Sequence, residues 1–434
     1  APSSAAHGVH IEPLDRRIVK MLELQRSILD RVVARMDLDN IPLDRLGDED
    51  LWERTEGAIV DMVETLESSG ELPADVDQDT LIKESLNEAL GLGPLEDLLA
   101  DESVEEIIVD RRDRIVVSRD GTLSGAGTAF SSDHAFRRVV ERLVAPTGGS
   151  IDEHSPLIDT RLRDGTRVTA AVPPVAVHGA CLTLRRPKSR GFSLGDLIEA
   201  GTLSAQMGDF LETCVGARRN ILVCGGGESG KSAVVAALAA AAPEGERIVS
   251  VEEVAELAIG REDWVALEAR PVLGNGASAV DVATLLRGAL RMRPDRLIVG
   301  DVRGAEALEL VSAMASSADG SVASIGGEGA AAALTRLTTM ARLGAPGASV
   351  DSLRELVSVA IDVVVHVTRY ADGMYRVASI SEVRGATAEG YDVQELFSFR
   401  GPGDGGFASA GIIPGFYADL EARGIPADTS IFRT

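Results

Sequence analysis

The feature that most constrains this chain is the stretch from Asn220 to Ser232, NILVCGGGESGKS. Four apolar residues, Ile221 to Cys224, predict a short buried strand that runs directly into glycines. The segment from Gly225 to Ser232 matches G-x-x-x-x-G-K-S, the P-loop pattern that holds polyphosphates. An alanine- and valine-rich run from Ala233 to Ala242 then predicts a helix, which Pro243 ends. The motif therefore has the strand, loop and helix context that it requires.

Phosphate binding explains each residue type in this loop. Glycines let the backbone approach a polyphosphate closely, so that backbone N–H groups and the positive end of the helix dipole face the phosphate oxygens. Lys231 is predicted to contact the β- and γ-phosphates, and the Ser232 hydroxyl to coordinate Mg²⁺. Glu228 places an anion inside the loop, which is unfavourable beside phosphates unless its side chain points outward. The expected nucleotide-binding residues of the loop are Gly225, Gly226, Gly227, Glu228, Ser229, Gly230, Lys231, Ser232 and Ala233.

Two later apolar runs each end in acidic residues. Residues 296–299 lead into Asp301, and residues 247–251 lead into Glu252. Because ligands of open α/β sheets bind at the carboxyl ends of strands, both acids are candidates for the nucleotide site. Asp301 is predicted to hold Mg²⁺ through water, and Glu252 to orient or deprotonate the attacking water. Solvated acids at strand ends are the alternative interpretation, and the P-loop favours the functional one.

Composition is typical of a globular protein with two or three domains. The 434 residues are 45% hydrophobic and 26% charged, and the sequence has neither an apolar run of about eighteen residues nor a signal-peptide pattern. A cytoplasmic location is therefore expected. A net charge of −25 and an aromatic content of 3% argue against a broad nucleic-acid surface. Cys181, Cys214 and Cys224 are predicted to be free thiols.

The N-terminal part of the chain predicts a helical region followed by an α+β domain. Within residues 1–94, apolar residues at three- and four-residue spacing predict helices over 14–36, 48–66 and 78–90. A small acidic bundle that packs its own apolar faces is the ordinary interpretation, and a partner-binding module is the alternative. Residues 95–186 predict an α+β domain with a helix over 132–143 and strands over 106–109, 114–118, 157–162, 167–172 and 180–184.

The C-terminal part predicts a nucleotide-binding architecture. Residues 187–194 are basic and rich in helix-breaking residues, and they are the expected linker. Residues 195–434 alternate strands with helices, which predicts a parallel sheet covered by helices, as in RecA-type domains.

Several segments together give the chain a specific resemblance to a known family. GERIVSVEEVAEL, LRGALRMRPDRLIVGDVRGAEAL and IDEHSPLIDTRLRDGTRVTAAVPP, with the P-loop, resemble the CpaF-like (Tad pilus) branch of the type II/IV secretion ATPases from about Leu86 onward. The resemblance implies a RecA-like P-loop NTPase domain, a PAS-like α+β N-terminal domain and a helical extension. It also implies a cytoplasmic homohexamer, peripheral to the inner membrane, that uses ATP and Mg²⁺ with platform proteins of a pilus or secretion system.

The resemblance also assigns roles to individual residues. Glu252 matches the catalytic glutamate of the family, and Arg167 and Arg185 match N-terminal-domain arginines that contact the nucleotide phosphates. Arg270 and Arg287 match arginines near the subunit interface. Arginine suits this chemistry because phosphoryl transfer develops negative charge on the γ-phosphate oxygens. A surface ion pair is the alternative for each arginine.

The sequence departs from the family at three positions. Asp301 stands where a glutamate is usual, and Ala318 and Gly326 stand where two histidines are expected. Since alanine and glycine donate no side-chain hydrogen bond, nucleotide binding is expected to persist while hydrolysis is slow or differently coupled. An active motor and a degenerate nucleotide-binding ring subunit are the two main hypotheses. A DNA-translocating ATPase is a third, which the acidic composition disfavours.

Overall fold

The computed structural model describes residues 14–73, 75–119, 122–187, 191–227, 229–270, 279–401, 405–425 and 427–433. The chain forms two compact units, and the first ends at Pro187. Each unit has its own β-sheet and its own hydrophobic core.

The first unit begins with the three predicted helices. They are α1 (Arg16–Met36), α2 (Glu49–Ser68) and α3 (Gln78–Leu90). An aspartate precedes each helix and accepts a hydrogen bond from a backbone N–H of its first turn, which fixes where the helix starts. Their apolar faces pack into a common cluster that includes Ile28 and Ile59. The predicted bounds of the three helices are therefore confirmed to within two residues at each end.

A six-stranded antiparallel sheet follows in the same unit. Its order is β3-β2-β1-β6-β5-β4, and its core packs against α4 (Leu95–Ala100) and α5 (Asp133–Val144). Five of the strands were predicted, and the short β3 was not. The strands are β1 (Glu106–Arg111), β2 (Arg114–Arg119), β3 (Thr122–Gly125), β4 (Leu157–Arg161), β5 (Arg167–Ala171) and β6 (Cys181–Arg185).

The second unit is built on a nine-stranded sheet of order β15-β14-β13-β12-β7-β11-β10-β8-β9. The six strands from β12 to β9 in that order are parallel, and β13, β14 and β15 are antiparallel to their neighbours. The strands are β7 (Ile221–Gly225), β8 (Ile248–Glu252), β9 (Trp264–Glu268), β10 (Arg296–Val302), β11 (Val322–Gly326), β12 (Val363–Arg369), β13 (Tyr375–Ala386), β14 (Tyr391–Phe399) and β15 (Phe407–Ser409).

The prediction of a wholly parallel sheet is wrong for the C-terminal strands. A turn at 370–374 joins β12 directly to β13, and a connection this short permits only antiparallel pairing. The strands predicted at 221–224, 247–251 and 296–299 lie within one to three residues of β7, β8 and β10, whereas β9 and β12 to β15 were not predicted individually.

Helices cover both faces of the sheet in the second unit. Ile221 and Val223 face a core formed with α7 and α8, and Leu222 and Cys224 face a core formed with α9 to α12. This alternation along β7 follows from the two-residue period of a strand and explains why the whole strand is apolar. The helices are α6 (Leu194–Glu199), α7 (Ala205–Gly216), α8 (Lys231–Ala240), α9 (Val282–Arg291), α10 (Glu306–Met314), α11 (Ala330–Gly344), α12 (Val350–Ala360) and α13 (Phe416–Ala422).

Three smaller predictions have clear outcomes. No helix in the described part of the chain combines the length and the apolar composition that a bilayer crossing requires. Cys214 and Cys224 are buried and Cys181 is half-buried, and all three are free thiols, as expected. The predicted linker 187–194 includes residues 188–190, which lie outside the described residues, and its last residue, Leu194, begins α6.

Candidate functional site

The P-loop lies between the end of β7 and the start of α8. Gly230 caps α8 in a left-handed conformation, with φ of +90°, which favours glycine. A Cβ atom at Gly225 would overlap the Val367 carbonyl oxygen and the Ser229 hydroxyl. Gly226 and Gly227 are exposed, and Glu228 lies outside the described residues. Gly225 and Gly230, the two glycines of the motif, are thus the positions where this backbone requires glycine.

Polar groups of the loop converge at the N-terminus of α8. The Lys231 Nζ donates to the carbonyl oxygens of Gly226, at 2.6 Å, and Gly225, at 3.3 Å. The Ser229 Oγ is buried, and the described residues give it no hydrogen-bond partner. Ser232 and Ala233 occupy the first turn, whose N–H groups have no acceptor within the helix. An ammonium group, an unpaired hydroxyl and the helix dipole together suit an anion with several oxygens.

Glu252 ends β8 and is buried, with a relative exposure of 3%. Its Oε1 accepts hydrogen bonds from the backbone N–H groups of Glu256, at 3.0 Å, and Leu257, at 3.1 Å. Burial raises the pKa of Glu252 to about 7, against the lowering effect of these hydrogen bonds. A carboxyl group that titrates near neutral pH is suited to accept a proton during catalysis.

A bulge in β10 positions the residues beside Glu252. The pairing of β10 with β11 shifts register between Val299 and Val302, and Asp301 adopts a φ of +45°. The Asp301 N–H donates to the buried Ser324 Oγ at 2.9 Å, which anchors the bulge. The glycine at position 300, inside an apolar strand, is the sequence signal that could have predicted this irregularity.

The carboxylate of Asp301 forms an ion pair with Arg303. The Arg303 Nε and Nη2 atoms lie 2.8 Å and 2.5 Å from Asp301 Oδ2, and Nη1 lies 3.2 Å from Glu253 Oε2. This hydrogen bonding to Asp301 raises the pKa of Arg303. The acid that the sequence predicts to hold Mg²⁺ is thus neutralised by a guanidinium group two residues away, which sequence reasoning missed.

The sheet topology brings the P-loop and the two acids to one edge. β7, β11, β10 and β8 are consecutive parallel neighbours, and the P-loop, Asp301 and Glu252 all lie at their carboxyl ends. Within the described residues, no three His, Cys, Asp or Glu side chains form a metal cluster. Hydroxyl and carboxylate oxygens are nevertheless the donors that Mg²⁺ prefers, and Mg²⁺ usually binds one or two carboxylates together with substrate phosphates. The donor set fits magnesium bound with a nucleotide.

The four arginines assigned by resemblance lie in two places. In the first unit, Arg167 and Arg185 are cross-strand neighbours on β5 and β6, and the Arg167 Nε donates to Asp159 at 2.9 Å. In the second unit, Arg270 is exposed and its backbone pairs with Val280. Arg287 on α9 donates to Glu309 on α10 at 2.7 Å. Both Arg167 and Arg287 therefore form intramolecular ion pairs.

The two positions where histidines were expected have different surroundings. Ala318 is buried just after α10, with 8% exposure. Gly326 ends β11 beside the P-loop, and a Cβ atom there would lie 3.7 Å from the Cζ atom of Arg336 on α11. A guanidinium group thus borders Gly326, the position where the second histidine was expected, and no sequence pattern indicated this contact.

The chain matches known proteins over most of its length. A family model described as type II/IV secretion system protein matches residues 88–390. A putative conjugal transfer protein of Mycobacterium tuberculosis is 33% identical over 323 residues, which cover 73% of this chain and 91% of that protein. The protein VirB11 of Agrobacterium fabrum is 29% identical over 339 residues, covering 71% of this chain and 96% of that protein.

A solved structure of the pilus retraction motor PilT with bound ADP is also similar to this chain. The match covers 70% of this chain and 81% of the PilT chain, with a TM-score of 0.47 and 17% sequence identity. The family match and the mycobacterial relative carry the assignment, because each spans more than two thirds of the sequence. The chain belongs to the type II/IV secretion system ATPase family.

Proposed function

We propose that this chain is a cytoplasmic ATPase of a secretion or Tad-type pilus assembly system. It binds Mg-ATP at residues 225–233 and converts hydrolysis into domain motion within a homohexameric ring. The observation that carries the proposal is the joint placement of Lys231, Glu252 and Asp301 at one edge of the parallel sheet. Such an edge, with a helix N-terminus beside it, is where open α/β sheets bind nucleotides.

Each residue of this edge has a distinct proposed role. Lys231 contacts the β- and γ-phosphates, and its amine must exchange the carbonyl oxygens of Gly225 and Gly226 for phosphate oxygens. Ser232 holds Mg²⁺, with Asp301 and Glu252 contributing through water. Glu252 accepts the proton of the attacking water, a role that its pKa of about 7 supports.

The finer family assignment is also part of the proposal. The segments around Glu252, Asp301 and Arg167 support the CpaF-like branch, with a RecA-like domain at 195–434, a PAS-like domain at 95–186 and a helical region at 1–94. Arg167 and Arg185 contact the nucleotide phosphates in this proposal, where each would exchange its present partners for phosphate oxygens. Arg270 and Arg287 act near the subunit interface in the same proposal. The protein partners are platform proteins of the inner membrane, and no nucleic acid is bound.

One observation favours a second candidate function. Ala318 and Gly326 supply no hydrogen-bonding side chain where the family is expected to have histidines. A chain of this kind binds nucleotide, hydrolyses it slowly and serves as a structural or regulatory component of the ring. The two candidates share the binding step and differ only in turnover.

Calorimetry of the full-length protein with Mg-ATP tests the shared step. We expect saturable binding that Lys231→Ala abolishes, because the amine supplies the only formal positive charge of the loop. Lys83→Ala is the matched control, since that lysine is exposed on α3, where it forms a 3.7 Å surface pair with Asp97. Absence of binding to the wild-type protein would refute both candidates.

Steady-state phosphate release then separates the two candidates. An active motor gives turnover that Glu252→Gln reduces by at least about a hundredfold, the usual contribution of a general base. A degenerate subunit binds Mg-ATP with the same Lys231 dependence but shows little turnover, which Glu252→Gln reduces by much less than a hundredfold.

A further inference from the structure

The hairpin formed by β12 and β13 lies against both ends of the P-loop. At the start of the loop, the Val367 carbonyl oxygen occupies the space that a Cβ atom at Gly225 would need. At the other end, a Cβ atom at Gly230 would lie 3.4 Å from both Cβ and Cγ of Tyr375. Tyr375 therefore packs directly on the backbone that caps α8, where the nucleotide phosphates are proposed to bind.

Local hydrogen bonds hold the turn that presents Tyr375. The Tyr370 N–H donates to the Met374 carbonyl at 2.9 Å, and the Gly373 N–H donates to the Tyr370 carbonyl at 2.9 Å. Asp372 and Arg376 add an ion pair at 2.7 Å across the base of the turn. Since the backbone on both sides is fixed, the tyrosine ring has a defined place beside the loop.

Tyr375 differs from the other tyrosines in its exposure. All four tyrosines lie in the described part of the chain, and Tyr375 alone is exposed, at 38%. Tyr417 is buried, and Tyr370 and Tyr391 are partly buried, with burial raising the pKa of each of the three. The guanidinium of Arg369 lies 5.5 Å from the Tyr375 ring centroid, and this contact supports the ring in place.

Building on the proposed nucleotide function, we propose that Tyr375 is a stacking platform for the base of the bound nucleotide. When the polyphosphate binds at the N-terminus of α8, the nucleoside extends from it along one side of the P-loop. Tyr375 supplies an accessible aromatic ring on that side. Aromatic rings stack on nucleic-acid bases with little dependence on which base is present. The platform should therefore add affinity for the nucleoside while discriminating weakly between adenine and guanine.

The test compares ATP with inorganic tripolyphosphate, which has the same phosphate chain and no base. Both are titrated in the presence of Mg²⁺ by calorimetry into the full-length wild type, Tyr375→Ala and Tyr375→Phe. Stacking of a base on one aromatic residue contributes a binding free energy that corresponds to about a ten- to hundredfold change in Kd. We expect Tyr375→Ala to weaken ATP binding by that factor and to leave tripolyphosphate binding unchanged. Tyr375→Phe, which keeps the ring, should bind both ligands like the wild type.

Val359→Ala is the control variant, because Val359 is an exposed apolar side chain on α12, with 64% exposure. Unchanged ATP binding by Tyr375→Ala would overturn the inference. Equal weakening of ATP and tripolyphosphate would also overturn it, because the tyrosine would then support the loop rather than the base. A wild-type protein that binds neither ligand would instead refute the proposed function, so the two failures are distinguishable.

Discussion

Gly300 and Glu252 lie side by side at the ends of β10 and β8, and the glycine provides the space that the glutamate side chain fills. A Cβ atom at Gly300 would lie 2.9 Å from Cγ and 3.1 Å from Oε1 of Glu252. The proposed catalytic acid is therefore positioned from two sides, by this glycine and by the N–H groups of Glu256 and Leu257.

Gly300→Ala should displace Glu252 and lower ATP turnover by about tenfold or more, because general-base catalysis depends on hydrogen-bonding geometry. Mg-ATP affinity should change less than turnover, since the P-loop is unaltered and Glu252 is proposed to contribute to Mg²⁺ binding only through water. Overpacking of this kind costs about 1–3 kcal/mol of stability, which thermal unfolding will register. Gly216→Ala is the control, because a Cβ atom there meets nothing within 4 Å. A variant with wild-type turnover would contradict the role of the contact.

The pH dependence of turnover should report the ionisation of Glu252. A general base must be deprotonated, and burial raises the pKa of Glu252 to about 7. We therefore expect kcat/KM to be constant at alkaline pH and to fall about tenfold per pH unit below that pKa. Phosphate release measured from pH 5.5 to 8.5 checks this. Glu253→Gln, a change at the exposed neighbouring acid, should keep the profile, and a flat profile in the wild type would exclude Glu252 as the base.

Arg303 should compete with Mg²⁺ for Asp301. The Arg303 guanidinium binds Asp301 Oδ2, so Arg303→Gln frees the carboxylate. An exposed ion pair contributes about 0–1 kcal/mol, so the Mg²⁺ concentration for half-maximal ATP binding should fall by up to about fivefold. Arg384→Gln, which breaks the exposed 2.7 Å pair with Asp392, is the matched control and should have no effect. An unchanged or higher Mg²⁺ requirement in Arg303→Gln would contradict competition between the Arg303 guanidinium and the metal.

Glu88 makes the stability of the first unit depend on pH. This buried carboxyl accepts hydrogen bonds from the Ser131 N–H at 2.9 Å, the Ser131 hydroxyl at 2.8 Å and the Gln25 amide at 2.7 Å. Burial nevertheless raises its pKa to about 7, above the value of about 4.3 expected in the unfolded chain. Between these values the folded state binds more protons than the unfolded state. The free energy of unfolding therefore falls as pH rises through this window.

The measurement is the melting temperature of the full-length protein at pH 5 and pH 8. Glu88→Gln cannot ionise, so its melting temperature should drop less between the two pH values than that of the wild type. Glu64→Gln, at an exposed position of α2, should behave like the wild type. An equal drop in Glu88→Gln and the wild type would show that Glu88 does not titrate on folding in this range.

The sequence by itself determined the local elements of the site. The residue types of the P-loop specify a strand, a glycine-rich turn and a helix start, because each depends on backbone preferences within a few residues. The helices of residues 16–90 follow equally from their spacing and from the aspartates that cap them. The acids at positions 252 and 301 were recognisable as strand-ending carboxylates for the same reason.

Only the tertiary structure decided what surrounds these elements. The ionisation of Glu252 near neutral pH arises from burial, and burial depends on how β8 and β10 pack. The contact between Tyr375 and Gly230 depends on β12 pairing with β7 and then reversing through a tight turn. The pairing of β12 with β7 joins residues far apart in sequence, and local patterns do not specify which strands become neighbours in a sheet.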